Sequence, residues 1–152
     1  MKRLSALFLV LASCGVKDCL PPGNECKIKP GMYTVISSEQ QYSCTDGFTH
    51  GTNPDTTAQV EIKHEGESWI YHYIGAPFDV PCVVNGTGLT CMQNGQMSLD
   101  GLCNFPVRLT VELSPTDTGF VGTSEWFYNP AVCTNGNTGS CTQTAVLEGT
   151  LQ

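Results

Sequence analysis

Nine cysteines and three histidines are the residues of this chain best able to do chemistry. The cysteines are Cys14, Cys19, Cys26, Cys44, Cys82, Cys91, Cys103, Cys133 and Cys141. Thiols bridge to one another, ligate metals or take covalent adducts. No two of them stand three positions apart, so a Cys-x-x-Cys metal clasp has no candidate. An odd number in an exported protein leaves one thiol to be explained. A metal site built on His50, His64 and His72 would need at least two of them to converge. The turn of a hairpin over residues 61–73 decides the matter for His64 and His72. A two-residue turn puts them on opposite faces. A three-residue turn puts them on one face, about 13 Å apart at roughly 3.3 Å per residue. Neither register chelates one ion, and His50 falls in the polar stretch from Thr49 to Thr57. No Gly-x-Ser-x-Gly elbow, His-Glu-x-x-His pair or phosphate-cradling loop is present. The fourteen acids are scattered, and none lies in a telling motif for paired-carboxylate glycoside hydrolysis. The chain therefore offers no catalytic residue, no metal site and no cofactor, and reads as non-enzymatic.

The first fourteen residues do carry a pattern. Met1-Lys2-Arg3 is a positive start, and Leu4 to Leu11 is an apolar run of 8 residues. Such a run suits a signal segment, whereas a membrane-spanning helix needs about 20 residues. Leu11-Ala12-Ser13-Cys14 then follows. This tetrapeptide resembles the lipobox of bacterial lipoproteins. The resemblance covers residues 1–14 and implies cleavage before Cys14, with diacylglycerol on its thiol. Acyl chains would tie the protein to a lipid bilayer, each buried methylene contributing roughly 0.8 kcal/mol. Gly15 stands where an Asp tends to retain such proteins at the inner membrane, so the resemblance implies a cell-envelope location at the outer membrane.

With Cys14 assigned to lipid, eight cysteines remain for four disulfides, which persist in an oxidising compartment. Between Cys82 and Cys91, a type I′ turn at Asn85-Gly86 would set Cys82 opposite Leu89. A type II′ turn at Gly86-Thr87 sets Cys82 opposite Cys91 instead. That register makes the two a non-hydrogen-bonded pair, with Cα atoms about 4.5 Å apart, and a Cys82–Cys91 bridge is expected. Cys133 and Cys141 enclose a seven-residue polar loop and are expected to bridge locally. Cys19–Cys26 and Cys44–Cys103 then complete the set.

The elements that must position these residues are strands. Residues 14–30 hold the lipidated cysteine and a proline-bearing tether, after a cleaved segment 1–13, and residues 31–152 form the domain. Met32 to Ser37 is the first strand. Ala58 to His64 and Ser68 to Ile74 form a hairpin about Glu65-Gly66. Val80 to Val84 and Leu89 to Met92 form the cysteine hairpin, with a short piece at Gln96 to Leu99. From Pro106 to Leu113, Val107, Leu109, Val111 and Leu113 alternate with Arg108, Thr110 and Glu112, the period of a strand with one buried face. Phe120 to Tyr128 returns, and Thr142 to Leu151 closes the domain with Ala145, Leu147, Gly149 and Leu151 on one side. The expected fold is an all-β antiparallel meander of about eight strands, stapled by disulfides. It closes wholly or partly into a barrel because closure removes exposed edges; a two-sheet β-sandwich is the alternative. Pro30-Gly31-Met32-Tyr33-Thr34-Val35 loosely resembles the opening strand of lipocalin-like barrels, with Tyr33 where that family usually has Trp. The resemblance implies an up-and-down barrel and a cavity for an apolar ligand.

Two aromatic stripes follow from the alternation. Trp69, Tyr71 and Tyr73 share one strand face, joined by Val60 and Ile62 if the turn has two residues, and Trp126 and Tyr128 share another. They are core or the lining of a ligand site. The net charge is -7 and becomes more negative once Lys2 and Arg3 leave. The remaining Lys17, Lys27, Lys29, Lys63 and Arg108 are not clustered, which excludes nucleic acid as a partner. Three readings stand: a surface module binding an envelope protein or glycan, a lipocalin-like binder of a small apolar ligand, and a hydrolase using scattered carboxylates.

Overall fold

The computed structural model describes residues 25–45, 50–99, 103–128, 132–133 and 140–152. Every regular element among them is a strand: β1 (Gly31–Cys44), β2 (His50–Thr52), β3 (Thr56–Glu65), β4 (Ser68–Tyr73), β5 (Asp79–Asn85), β6 (Gly88–Leu99), β7 (Cys103–Pro115), β8 (Gly119–Tyr128), β9 (Val132–Cys133) and β10 (Cys141–Leu151). Eight of them pair antiparallel in the order β1-β3-β4-β5-β6-β7-β8-β10, and β10 returns to β1 to close a barrel. The short β2 and β9 lie outside this circuit, on β1 and β7. The expected closed meander is what forms, and the sandwich is not.

Local chemistry sets the hairpins. Gly66 and Gly86 have φ of 62° and 60°, and each opens a two-residue turn. Neither Glu67 nor Thr87 has positive φ, so both turns are of the glycine-first type whose twist suits adjoining strands. Asn85 then pairs with Gly88 and Cys82 with Cys91. The first hairpin turns at Gly66-Glu67, one residue later than expected, and pairs Tyr71 with Ile62 and Tyr73 with Val60.

Alternation sorts the side chains. Val107, Leu109, Val111 and Leu113 are buried, as are Ala145, Leu147 and Gly149. Leu109, Val111, Leu113, Ala145 and Leu147 join Tyr33, Val35, Val60, Ile62, Tyr71, Val80, Leu89 and Phe120 in one continuous core. Arg108, Glu112, Glu148 and Gln59 point outward and are exposed. A barrel wall immersed in lipid would carry an apolar band there, and each Arg or Lys at mid-bilayer would cost about 2–4 kcal/mol. This wall suits water.

Three boundaries differ from expectation. β1 runs on to Cys44 through a bulge between Ser38 and Gln41. β6 is one strand through Gln93, Asn94 and Gly95, because the backbone ladder to Leu109, Arg108 and Val107 holds it where no apolar pattern does. The stretch expected as a polar loop around His50 contains β2. In addition, the barrel begins before Gly31. Ile28 is 1% exposed, the Lys27 N–H donates to the Thr87 carbonyl at 2.8 Å, and the Tyr33 hydroxyl donates to the Lys29 carbonyl at 2.6 Å. Residues 25–30 thus cross and seal the end that carries the Gly66 and Gly86 turns and the Thr116–Thr118 turn between β7 and β8, called the base below; the opposite end is the rim.

Gly149 faces Phe120 across β10 and β8, and a Cβ there would fall into the Phe120 ring. Gly149→Ala is expected to destabilise the barrel by about 1–3 kcal/mol, the usual cost of overpacking a core. Urea denaturation monitored by Trp fluorescence measures it, and an unchanged midpoint would refute the packing.

Candidate functional site

The five aromatic candidates do not form one site. Tyr71 sits at the centre of the core with no exposure. Tyr73 packs edge-on against it, 5.1 Å between centroids, one step nearer the rim. Trp126 and Tyr128 stack at 6.4 Å on β8, also towards the rim. Three strands separate β4 from β8 in either direction around the barrel, so the two stripes occupy opposite walls. Trp69 lies at the base.

The middle of the lumen between those walls is filled. Tyr33, Val35, Val60, Ile62, Tyr71, Val80, Leu89, Cys91, Leu109, Val111, Phe120 and Leu147 are each exposed by 1% or less. A side chain lining a water-sized void would show accessible area, and these show almost none. The Tyr33 and Phe120 rings meet at 4.9 Å. Eight strands leave a lumen just wide enough for side chains to fill, and here they fill it.

A groove remains on the outside of the base. Cys26, Ile28, Lys29, His64, Trp69 and Val84 are among its walls, and its volume is about 470 Å³. The His64 and Trp69 rings stack at 4.1 Å, nearly parallel, because they are cross-strand partners beside the Gly66 turn. Cys26 is a free thiol. Burial raises it above the ordinary thiol value, against a bond to the Ile28 carbonyl that lowers it, so it is a poor nucleophile at neutral pH. Trp69 was legible as a candidate. The part played by residues 25–30 was not, since they read as tether.

The rim holds a buried polar group with no sequence signal. Gln40 is 7% exposed. Its Nε2 donates to the Ser37 and Pro54 carbonyls and to Thr56 Oγ1 at 2.9–3.2 Å. Its Oε1 accepts from Gln143 at 3.4 Å. Glu39 beside it takes φ 49°, unusual for a residue with a Cβ, and the Gln40 amide holds that bulge in place.

His64 and His72 face opposite sides, as a two-residue turn requires. His72 points outward, with Nδ1 2.7 Å from Asp79 and Glu61 opposite it in register. Lys63 stands 3.7 Å from Glu61 and 4.0 Å from Asp79. A histidine oriented by a carboxylate is half of a proton-transfer device. Here it sits on a convex wall among Glu61, Lys63, Ile70 and Pro81, none of which is a hydroxyl or thiol. The described residues include no group of three metal-ligating side chains.

The cysteines correct part of the expected pairing. Cys82–Cys91 forms. Cys44 bonds Cys141 rather than Cys103, and Cys141 is therefore not joined to Cys133. Sheet closure is the reason: β1 meets β10 with Cys44 directly opposite Cys141. Cys133 instead lies opposite Cys103 in the β7–β9 register. Cys26 has no disulfide partner among the described residues; the expected Cys19–Cys26 bridge turns on Cys19, which with Cys14 lies outside the described residues.

Tyr71 supplies a pH test. Among the described residues its hydroxyl has no hydrogen bond of good geometry, Tyr73 being the candidate partner, and burial first, then the Tyr73 hydroxyl beside it, push it far above the ordinary phenol value. In the unfolded chain it ionises near pH 10. Above that pH the unfolded state releases a proton that the folded state keeps, so stability falls as pH rises. Tyr71→Phe is expected to change stability at pH 7 by no more than about 1 kcal/mol, in the stabilising direction, and to lessen the alkaline loss. Denaturation at pH 7 and pH 11 checks both, and a large loss at pH 7 would mean the hydroxyl has a partner.

The chain matches no protein-family model, no curated protein and no solved structure.

Proposed function

We propose that this protein is a lipid-anchored module of the bacterial cell envelope, held by acyl chains on Cys14, which binds an envelope protein or glycan through its outer surface. The observation that carries the choice of surface over lumen is the filled interior. Twelve inward side chains exposed by 1% or less leave no room among them for a carried ligand. Two bridged cysteine pairs fit an exported chain, since such bonds persist outside the reducing cytosol. The order of the chain fits a tether as well. Residues 25–30 meet the barrel at its base, so an anchor at Cys14 would present the rim away from the bilayer. Gly15 favours the outer membrane as the destination.

A small apolar ligand is the second reading, moved from the lumen to the base groove. Its volume of about 470 Å³ falls within the range of small-molecule sites, roughly 300–1,000 Å³, and the Trp69–His64 stack offers a flat apolar wall.

Metabolic labelling with a palmitate analogue tests the anchor. The wild-type chain is expected to take the label and Cys14→Ser to lose it; an unlabelled wild type would overturn the lipid assignment. Titration with a fluorescent fatty acid separates the two readings. No saturable binding is expected of a surface module, and stoichiometric binding abolished by Trp69→Ala would favour the groove.

A further inference from the structure

We infer that the outer face of the closing seam, at its rim end, is a binding site for a neutral oligosaccharide. The inference rests on the reading of this protein as a surface binder, and it names the partner as a glycan. Register assembles the site. The bulge between Ser38 and Gln41 puts one extra residue into β1, which resets the alternation of the strand. Gln40 is therefore buried while Gln41 and Ser43 are exposed. Gln41 stands opposite Thr144 on β10 and Thr52 on β2, and Ser43 stands opposite Thr142. Together they line a groove of about 400 Å³. A second groove of about 350 Å³ adjoins it, shares Gln41 and Thr144, and adds Glu39, Thr123, Glu125 and Val146. Both volumes fall within the range of small-molecule sites, roughly 300–1,000 Å³.

Unspent hydrogen-bonding capacity sets this face apart. Elsewhere on the wall, neighbouring polar side chains bond one another. Gln59 and Gln152 donate to Thr34 Oγ1 at 3.1 and 2.7 Å, and Asn85 donates to Thr90 Oγ1 at 3.2 Å. The side chains of Gln41, Ser43, Thr52, Thr142 and Thr144 make no such bond to any described residue. Each hydroxyl offers one donor and two lone pairs, and the Gln41 amide offers two of each. A ligand that is itself a dense array of hydroxyls matches them.

The linings also disfavour other ligands. Neither groove has a Lys or Arg wall to hold a phosphate or carboxylate, and Glu39 and Glu125 repel one. Arg108 is paired with Glu125 at 3.8 Å. Aliphatic side chains are confined to Ala145 and Val146, too few for an apolar ligand. The site is stiff as well. The Cys44–Cys141 bond lies next to the Ser43–Thr142 pair, and the buried Gln40 amide holds the bulge from which Gln41 projects. Polar groups held in place before binding lower its ordering cost.

An array of immobilised oligosaccharides tests this with the full chain in mild detergent. Chito-, gluco-, galacto- and manno-oligosaccharides are the neutral probes, and sialylated and glucuronate-bearing glycans are the acidic ones. Saturable binding is expected to at least one neutral series and to none of the acidic glycans. Gln41→Ala and Thr144→Val change exposed side chains, so both variants are expected to keep the wild-type thermal unfolding. Each is expected to weaken binding about 3- to 10-fold, the worth of one hydrogen bond. Met92→Ala on β6, three strands from β10, is expected to leave it unchanged. A blank array, a preference for the acidic glycans, or binding that both variants retain in full would each overturn the proposal. None of these results removes the surface-binder reading itself, which fails separately if the fatty-acid titration finds stoichiometric binding at the base.

Discussion

Closure of the sheet on itself is the constraint from which the rest of this structure follows. β1 gives one edge to β3 and the other to β10, so the circuit ends where it began and its main strands present no long free edge. Open edges invite pairing with other chains, and a sheet of this length left flat would present two of them. Closure at eight strands also sets the width of the interior. The inward residues must then fit one another across the lumen, which explains the company of Tyr33, Tyr71 and Phe120 with a position as small as Gly149. The Cys44–Cys141 bond lies on the closing seam itself. It holds together two strands that are neighbours in space and 97 residues apart in sequence.

A packed interior moves the question of function to the outside and to the two ends. The base is sealed by Ile28 and bounded by tight turns, and the chain enters there. At the rim the strands overrun the core: β1 kinks at Glu39 around a buried amide, and β6 and β7 extend beyond the reach of β8. The side wall carries exposed Arg108, Glu112 and Glu148 together with exposed apolar residues such as Ile36, Val83, Met92 and Val121. Apolar side chains are a normal part of a folded protein's accessible surface.

Features specified by neighbours in the chain are legible in the sequence. Gly86 at the first turn position dictated the register that joins Cys82 to Cys91, and the alternation from Val107 to Leu113 exposed a half-buried strand. Features specified by closure were not. Nothing near Cys44 or Cys141 announces the other, because their meeting depends on every strand between them being counted and paired correctly. Strand ends were obscured for a related reason. Gln93-Asn94-Gly95 and Ser38-Glu39-Gln40 have no apolar rhythm, yet backbone ladders carry the first through and the Gln40 amide carries the second. Trp69, Tyr71 and Tyr73 share one face, as their alternation predicts. Alternation alone could not say that Tyr71 is core while Trp69 borders a groove, since that depends on residues 25–30 folding back beneath the barrel.

Amide hydrogen exchange across the closing seam tests the central claim most directly. In a closed barrel, the amides of Thr34 and Ile36 on β1 and of Glu148 and Thr150 on β10, which bond across the seam, exchange as slowly as that of Val111 on β7, deep within the ladder. Fast exchange in β1 and β10, with protection kept in β6 and β7, would mean that the seam is open, and the account built on closure would fail.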